Sequence, residues 1–321
     1  MSLISRLLKA NPSAQVSDML TGYFVIPSAK GDFVGLSSRA LVAGGDNDGS
    51  VFRNTIDYFD IDTTGNSTDF GDLTQARNYL SGASSNTRGV FGAGYTGSAV
   101  NTIDYVTLAT TGNATDFGDR TGSQQIRASC SSMTRGIFSE ALTTDYITIA
   151  TTGNATDFGD RTVDASHGSG CSSTTRGVFA GGIVSGNYNN TIDYFTIATT
   201  GNATDFGDLL AGNYIMSGLS NNTRGVFSGG NPGGYSNVIQ YVTIASTGNA
   251  TDFGDTLNAQ LNSVGTAGTT RGIIAAGEFG SNGSNIIEYI TIATTGNSTD
   301  FGDLTQARRT AGAVSGSHGG L

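Results

Sequence analysis

Few residues in this chain could carry catalytic or metal chemistry. Histidine occurs twice, at His167 and His318, and cysteine twice, at Cys130 and Cys171. A transition-metal centre usually takes three or four imidazole, thiolate or carboxylate ligands, and this supply is thin. Cys130 and Cys171 sit in the matching strings SCSS and GCSS. That reads as buried small residues rather than a disulfide framework. The recurrent acids are more conspicuous. The string DFGD occurs six times, with its first acid at Asp69, Asp116, Asp157, Asp205, Asp252 and Asp300. Asp69 and Asp72 offer hard oxygen atoms to calcium, but two carboxylates are a small part of that ion's shell. The alternative is structural: acids that accept backbone N–H groups in tight turns, or pair with arginines. Arginines do recur, at Arg39, Arg88, Arg135, Arg176, Arg224 and Arg271. No catalytic residue, metal or cofactor is expected.

The elements that hold these residues are repeats. Successive DFGD strings lie 41 to 48 residues apart, and a period of this size points to propellers or solenoids. One unit reads RGVFAGG from Arg176, a loop, then NTIDYFTIATTGNATDFGDL. Thr191–Thr199 is rich in β-branched and aromatic residues and apolar on both faces, which predicts a strand packed between sheets. Gly-Asn follows in all six units, and this pair predicts a two-residue hairpin. DFGD is then the second arm. RGVFAGG is another strand, and a stretch of small residues such as Tyr214–Ser220 gives a fourth. Glycine numbers 48 of 321 residues and proline only 3. That composition excludes collagen, which needs a three-residue period. It would suggest disorder but for the fixed places at which glycine recurs.

Four antiparallel strands per unit make a propeller blade. The sequence therefore predicts an all-β fold, a six-bladed propeller of four-stranded blades over residues 34–321. The C-terminal inner strand around 311–317 closes the ring; residues 35–38 are the other candidate for that strand. The units resemble the Kelch family in their Gly-Gly pairs (Gly44-Gly45, Gly181-Gly182, Gly229-Gly230) and in their tyrosines Tyr58, Tyr105, Tyr146, Tyr194, Tyr241 and Tyr289. Two features depart from it: Phe of DFGD stands where Trp is usual, and Ser139-Glu140-Ala141 replaces the glycine pair in unit three. The near-identical TTGNATDFGD segments also resemble repeat proteins of marine bacteriophage virions. That resemblance implies a non-enzymatic structural or attachment protein located in the phage particle, in a tail, fibre, neck or capsid-associated position. A free glycan-binding propeller is the alternative.

Two regions fall outside the repeat chemistry. Residues 1–33 carry Leu3, Ile4, Leu7, Leu8, Tyr23, Phe24 and Ile26, an apolar set without repeat partners. They predict an extended or short-helical arm that docks on other virion proteins, or else folds back on the propeller. The loops after the glycine pairs vary and present Tyr95, Tyr188, Tyr235 and Phe279. Exposed aromatics among Asn, Ser and Gly suit a host surface glycan or protein. Nucleic acid is not an expected partner, because the net charge is -10 and Lys occurs only at Lys9 and Lys30. No stretch reaches the roughly 18 apolar residues of a membrane span.

Overall fold

A computed structural model describes residues 38–125 and 128–317. The arm expected over residues 1–33, with its seven apolar side chains, and His318 lie outside the described residues. The described chain is all β. The first unit supplies β1 (Arg39–Ala43), β2 (Thr55–Asp60) and β3 (Thr68–Asp72). The second gives β4 (Ser81–Ser84), β5 (Arg88–Tyr95), β6 (Ala99–Thr107) and β7 (Thr115–Asp119). The third gives β8 (Ala128–Ser131), β9 (Arg135–Thr148) and β10 (Thr156–Ala165). The fourth gives β11 (Ser169–Ser172), β12 (Arg176–Ala180), a small hairpin of β13 (Ile183–Val184) and β14 (Asn187–Tyr188), then β15 (Thr191–Thr196) and β16 (Thr204–Asp208). The last two give β17 (Ser217–Ser220), β18 (Arg224–Ser228), β19 (Ser236–Thr243), β20 (Thr251–Ala267), β21 (Arg271–Phe279), β22 (Asn282–Thr291) and β23 (Thr299–Arg308). Finally β24 (Gly312–Ser315) pairs antiparallel with β1, from Ala40↔Ser315 to Ala43↔Gly312.

The fold is a propeller of antiparallel blades, but the expected blade count is corrected. Four sheets stand alone as blades, not six: β24-β1-β2-β3, β4-β5-β6-β7, β8-β9-β10 and β11-β12-β15-β16. The strands β17 to β23 form one continuous seven-stranded sheet. The reason is β20. It leaves β19 at Ser236↔Gln260 and joins β21 at Leu261↔Glu278, so no loop divides the fifth unit from the sixth. The third blade counts three strands because its two middle arms form one element, β9, which folds back tightly on itself without a glycine pair: Ile149 N–H donates to Thr134 O at 2.9 Å, and the Ser139 and Thr144 hydroxyls meet at 3.0 Å.

The core lies between neighbouring units, which explains the two apolar faces of each strand. Leu41, Ile56 and Phe70 of the first unit pack against Leu80, Phe91 and Val106 of the second. The second acid-flanked residue of each DFGD carries this further. In β3 the register slips between Ile56↔Gly71 and Asp57↔Asp69, so Phe70 is an extra, bulged residue. The bulge turns Phe70 into the core, edge-on to Tyr58 at 5.8 Å.

The Gly-Asn segments are not two-residue hairpins. Six residues or more separate β2 from β3, and Gly-Asn is instead a latch between units. Gly112 N–H donates to the Phe70 carbonyl at 2.8 Å, and Asp72 N–H donates to Asn113 Oδ1 at 3.0 Å. The same latch joins the sixth unit to the first, through Gly65 N–H to Phe301 O at 2.8 Å and Asp303 N–H to Asn66 Oδ1 at 3.0 Å. Contact is too close for any side chain on the DFGD glycine: a Cβ on Gly71 would lie 2.5 Å from Gly112.

Buried ion pairs reinforce four of the junctions. Arg77–Asp104 (2.8 Å), Arg161–Asp193 (3.1 Å), Arg308–Asp57 (3.0 Å) and Arg120–Asp145 all have side chains essentially shut off from solvent. The arginines come from two sequence places. Arg120 and Arg161 directly follow DFGD, whereas Arg77 and Arg308 lie five residues past it. Both routes deliver a guanidinium to the same carboxylate position. Gln240 and Glu288 take that position at the other two junctions, where Leu210 N–H and Leu257 N–H donate to them.

Candidate functional site on the loop face

The repeat-coded residues are spent on the scaffold. The guanidinium groups of Arg88, Arg135, Arg176, Arg224 and Arg271 lie 4.5–4.8 Å from the centres of Tyr105, Tyr146, Tyr194, Tyr241 and Tyr289. Each also donates to a carbonyl of the next unit, as Arg176 does to Ile244 O at 3.0 Å. The acids Asp69, Asp116, Asp157, Asp205, Asp252 and Asp300 are exposed on the outer strands. The acids that meet guanidinium groups are those of the TIDY strings, which sequence reading passed over. Their signal was the recurrent Asp inside an otherwise apolar strand.

The polar residues that break the repeat gather on the opposite face, where the strands leave the glycine pairs. Just before five of the inner strands the backbone turns through positive φ, at Tyr79 (52°), His167 (59°), Ile215 (53°), Asn262 (61°) and Thr310 (54°). For a β-branched residue such as Ile215 this region costs on the order of 1–3 kcal/mol. The turns are held by one another: Tyr79 N–H donates to Thr310 O, Thr310 to Asn262, Asn262 to Ile215, and Ile215 to His167, at 2.8–3.1 Å. Four backbone bonds thus link these five turns in a chain along the mouth of the axis. Below it lies an axial cavity of about 90 Å³, lined by serines and by Cys130 and Cys171. Ser172 Oγ donates to Ser131 O at 2.8 Å and Ser220 Oγ to Ser172 O at 2.7 Å, tying neighbouring inner strands together. Both thiols are free, and burial pushes them well above their ordinary range.

Along one side of the mouth runs a polar arc. Asp46 Oδ1 accepts from Arg309 Nε at 3.0 Å, and its Oδ2 accepts from Asn78 Nδ2 and Thr310 Oγ1, both at 2.6 Å. Burial alone would raise this carboxyl, but those three hydrogen bonds hold it below the usual carboxylate range. Arg309 also pairs with Glu278, which accepts from Asn262 Nδ2 at 3.0 Å. The Tyr235 hydroxyl reaches Glu278 Oε1 at 3.0 Å and the Gly280 carbonyl. Across the mouth Glu140 accepts from His167 N–H at 3.2 Å, and the His167 ring meets Tyr79 edge-on at 6.2 Å. Glu140 is the residue that displaces the glycine pair in the third unit.

The four predicted loop aromatics separate here. Tyr95 is half-buried and packs edge-on against Phe52 at 5.8 Å. Tyr188, Tyr235 and Phe279 are 45%, 41% and 41% exposed, on the loops of the last three units. Tyr188 stacks on Tyr214, with ring centres 5.2 Å apart and planes 23° from parallel. Tyr214 sits in the stretch read as an inner strand, so its place on the surface was not legible from its neighbours. No group of three or more His, Cys, Asp or Glu suited to a metal occurs among the described residues. The chain matches no protein-family model and no curated protein sequence.

Proposed function

We propose that the propeller is a non-enzymatic interaction module of a bacteriophage particle, structural or receptor-attaching, with the loop face as its contact surface. In this reading residues 1–33 anchor it to other virion proteins, and the Kelch-like units serve as a rigid frame. One observation carries the contact surface: the exposed aromatics of the last three units and the off-repeat polar arc share one face, around one mouth. Binding usually resides in such variable loops on a rigid scaffold. How the polar groups are used supports a non-enzymatic role. Asp46, Arg309, Glu278 and Asn262 are hydrogen-bonded to one another, which suits a fixed surface better than a group poised to transfer a proton. The particle assignment rests on the resemblance of the TTGNATDFGD segments. Its test is incorporation: particles assembled with a chain lacking residues 1–33 should lose the protein, and undiminished incorporation would overturn the anchor.

A further inference from the structure

The stacked tyrosine pair stands on a structure that the propeller does not need. The hairpin β13–β14 is a separate two-stranded sheet, and among the described residues only the fourth unit carries one. Its turn, Ser185-Gly186, has φ of 48° and 82°, the paired positive values of a tight, twisted hairpin. Ile183 also bridges to Ser166, which ties the hairpin to the segment before His167. The hairpin therefore holds Tyr188 in one place while leaving the ring 45% exposed. Tyr214 supports that ring from below. Its own position depends on two local backbone features. Gly212 lets the chain lie against the Tyr188 backbone, where a Cβ would come within 2.5 Å of the carbonyl. Ile215, in its strained left-handed turn, redirects the chain into β17. Beside the rings lies Asn231, whose Nδ2 is 3.4 Å from the Tyr214 hydroxyl. The segments 181–190, 211–215 and 231–235 contain no Lys, Arg, Asp or Glu.

We propose that the Tyr188–Tyr214 platform, with Asn231 at its edge, binds an uncharged saccharide. This rests on the reading of the loop face as the contact surface. A rigid, exposed ring offers its face to the C–H side of a pyranose, and an amide at its edge hydrogen-bonds the hydroxyls. An aromatic fixed before binding loses little freedom on binding. The lack of cationic groups at the platform, within a chain of net charge -10, disfavours sialylated or sulfated glycans and nucleic acids.

The test is a glycan array probed with the full chain, followed by titration of the best neutral oligosaccharide. Tyr188→Ala should weaken binding at least tenfold, while Tyr188→Trp keeps it. Tyr95→Ala should change nothing, since that ring is packed on Phe52 away from the platform. Tyr188 is exposed, so an unchanged unfolding midpoint separates a lost platform from a lost fold. A blank array, binding confined to acidic glycans, or affinity unmoved by Tyr188→Ala would each overturn the inference. The broader reading fails separately. If particles still adhere to host cells and Tyr235→Ala with Phe279→Ala abolishes this, the loop face binds something other than a sugar. If adhesion survives deletion of the whole propeller, the loop face is not an attachment surface.

Discussion

Arg308 closes the ring, and its removal should be among the most costly single changes in the protein. Its Nη2 lies 3.0 Å from Asp57 Oδ1, and its Nη1 donates to the carbonyls of Thr55 at 3.0 Å and Gly44 at 3.2 Å. Both charged side chains are 0% exposed. Arg308→Met keeps most of the volume and removes the charge. Asp57 is then buried with only the hydroxyls of Thr305 and Ser67 and the Thr305 N–H to satisfy it. Stranding one partner of a buried pair costs about 3–5 kcal/mol. For a domain of this size that is a fall in Tm of roughly 6–20 °C. The cost should not depend on long-range charge, so salt should leave it largely unchanged. Urea unfolding of Arg308→Met, Asp57→Asn and the double variant makes a cycle. Asp57→Asn removes the charge that needs Arg308, so the double variant should lose clearly less than the two singles together. Gln240→Met supplies the comparison at a junction that has no arginine; it should cost only about 1 kcal/mol, one hydrogen bond from Leu210 N–H. A loss below about 1 kcal/mol for Arg308→Met, or additivity within about 0.5 kcal/mol, would refute the claim that buried pairs hold the junctions.

Four shorter predictions test other links. Burial pushes the Glu288 carboxyl up, although Ser298 and Leu257 donate to it and pull the other way. A raised folded-state pKa means stability falls as pH rises from the unfolded value through the folded one, so Glu288→Gln should stabilise at about pH 8 and change little near pH 3.5; an equal effect at both would contradict this. Asp46 runs the other way: its lowered carboxyl contributes stability above the unfolded pKa and loses it as pH falls through the folded value, so the penalty of Asp46→Asn should shrink in acid titrations of Tm. Gly207→Ala puts a Cβ 2.5 Å from the Gly248 carbonyl in a latch and should cost at least about 2 kcal/mol in urea, whereas Asn249→Ala, losing one bond to Asp208 N–H, should cost about 1. Cys130 and Cys171, buried with raised thiols, should resist a thiol reagent at about pH 8 until the protein is unfolded; prompt labelling of the folded chain would show an open axis.

The sequence reveals the parts of this fold whose cause is local. A strand such as Thr191–Thr196 declares itself by β-branched and aromatic residues, and the all-β propeller follows from counting such strands per unit. What it hides is set by tertiary contact. Gly-Asn looks like a hairpin turn because both residues tolerate positive φ, yet its partner is the preceding unit's DFGD, as Phe70 is for Gly112 and, across the ring closure, Phe301 for Gly65. The blade boundaries were hidden for a similar reason. Whether β20 breaks or runs on depends on Ser236 and Glu278 meeting Gln260 and Leu261, and nothing in Thr251–Ala267 itself announces it. The ion pairs were concealed because the arginines sit at two different offsets from DFGD, so no fixed spacing marks them. Tyr188 could be picked from its loop, but Tyr214, which makes it a platform, looked like part of a strand.

The distribution of regularity over the molecule is itself an argument about function. On the latch side every unit makes the same three contacts: Gly N–H to the Phe carbonyl, the N–H of the Ala or Ser after Asn to the second Asp carbonyl of DFGD, and that Asp's N–H to Asn Oδ1. Each contact needs its partner in the next unit, so one latch cannot change without the other. The loop face has no contact repeated in this way from unit to unit. Yet it is not merely varied. Asp46 follows a glycine pair, Glu140 stands in place of one and Glu278 follows Ala276-Gly277 at the matching place, and each has found a partner outside its own strand: Arg309, His167 N–H and Asn262. Such buried polar groups stabilise only when fully satisfied, and partial satisfaction costs more than an apolar residue would. A surface tolerated by default would not need them. The strained turns at Ile215 and Thr310 add a further cost on the same face. A scaffold whose frame is uniform and whose one irregular face is both strained and cross-linked by hydrogen bonds between units holds that face in one shape, which is what a contact surface of fixed specificity requires.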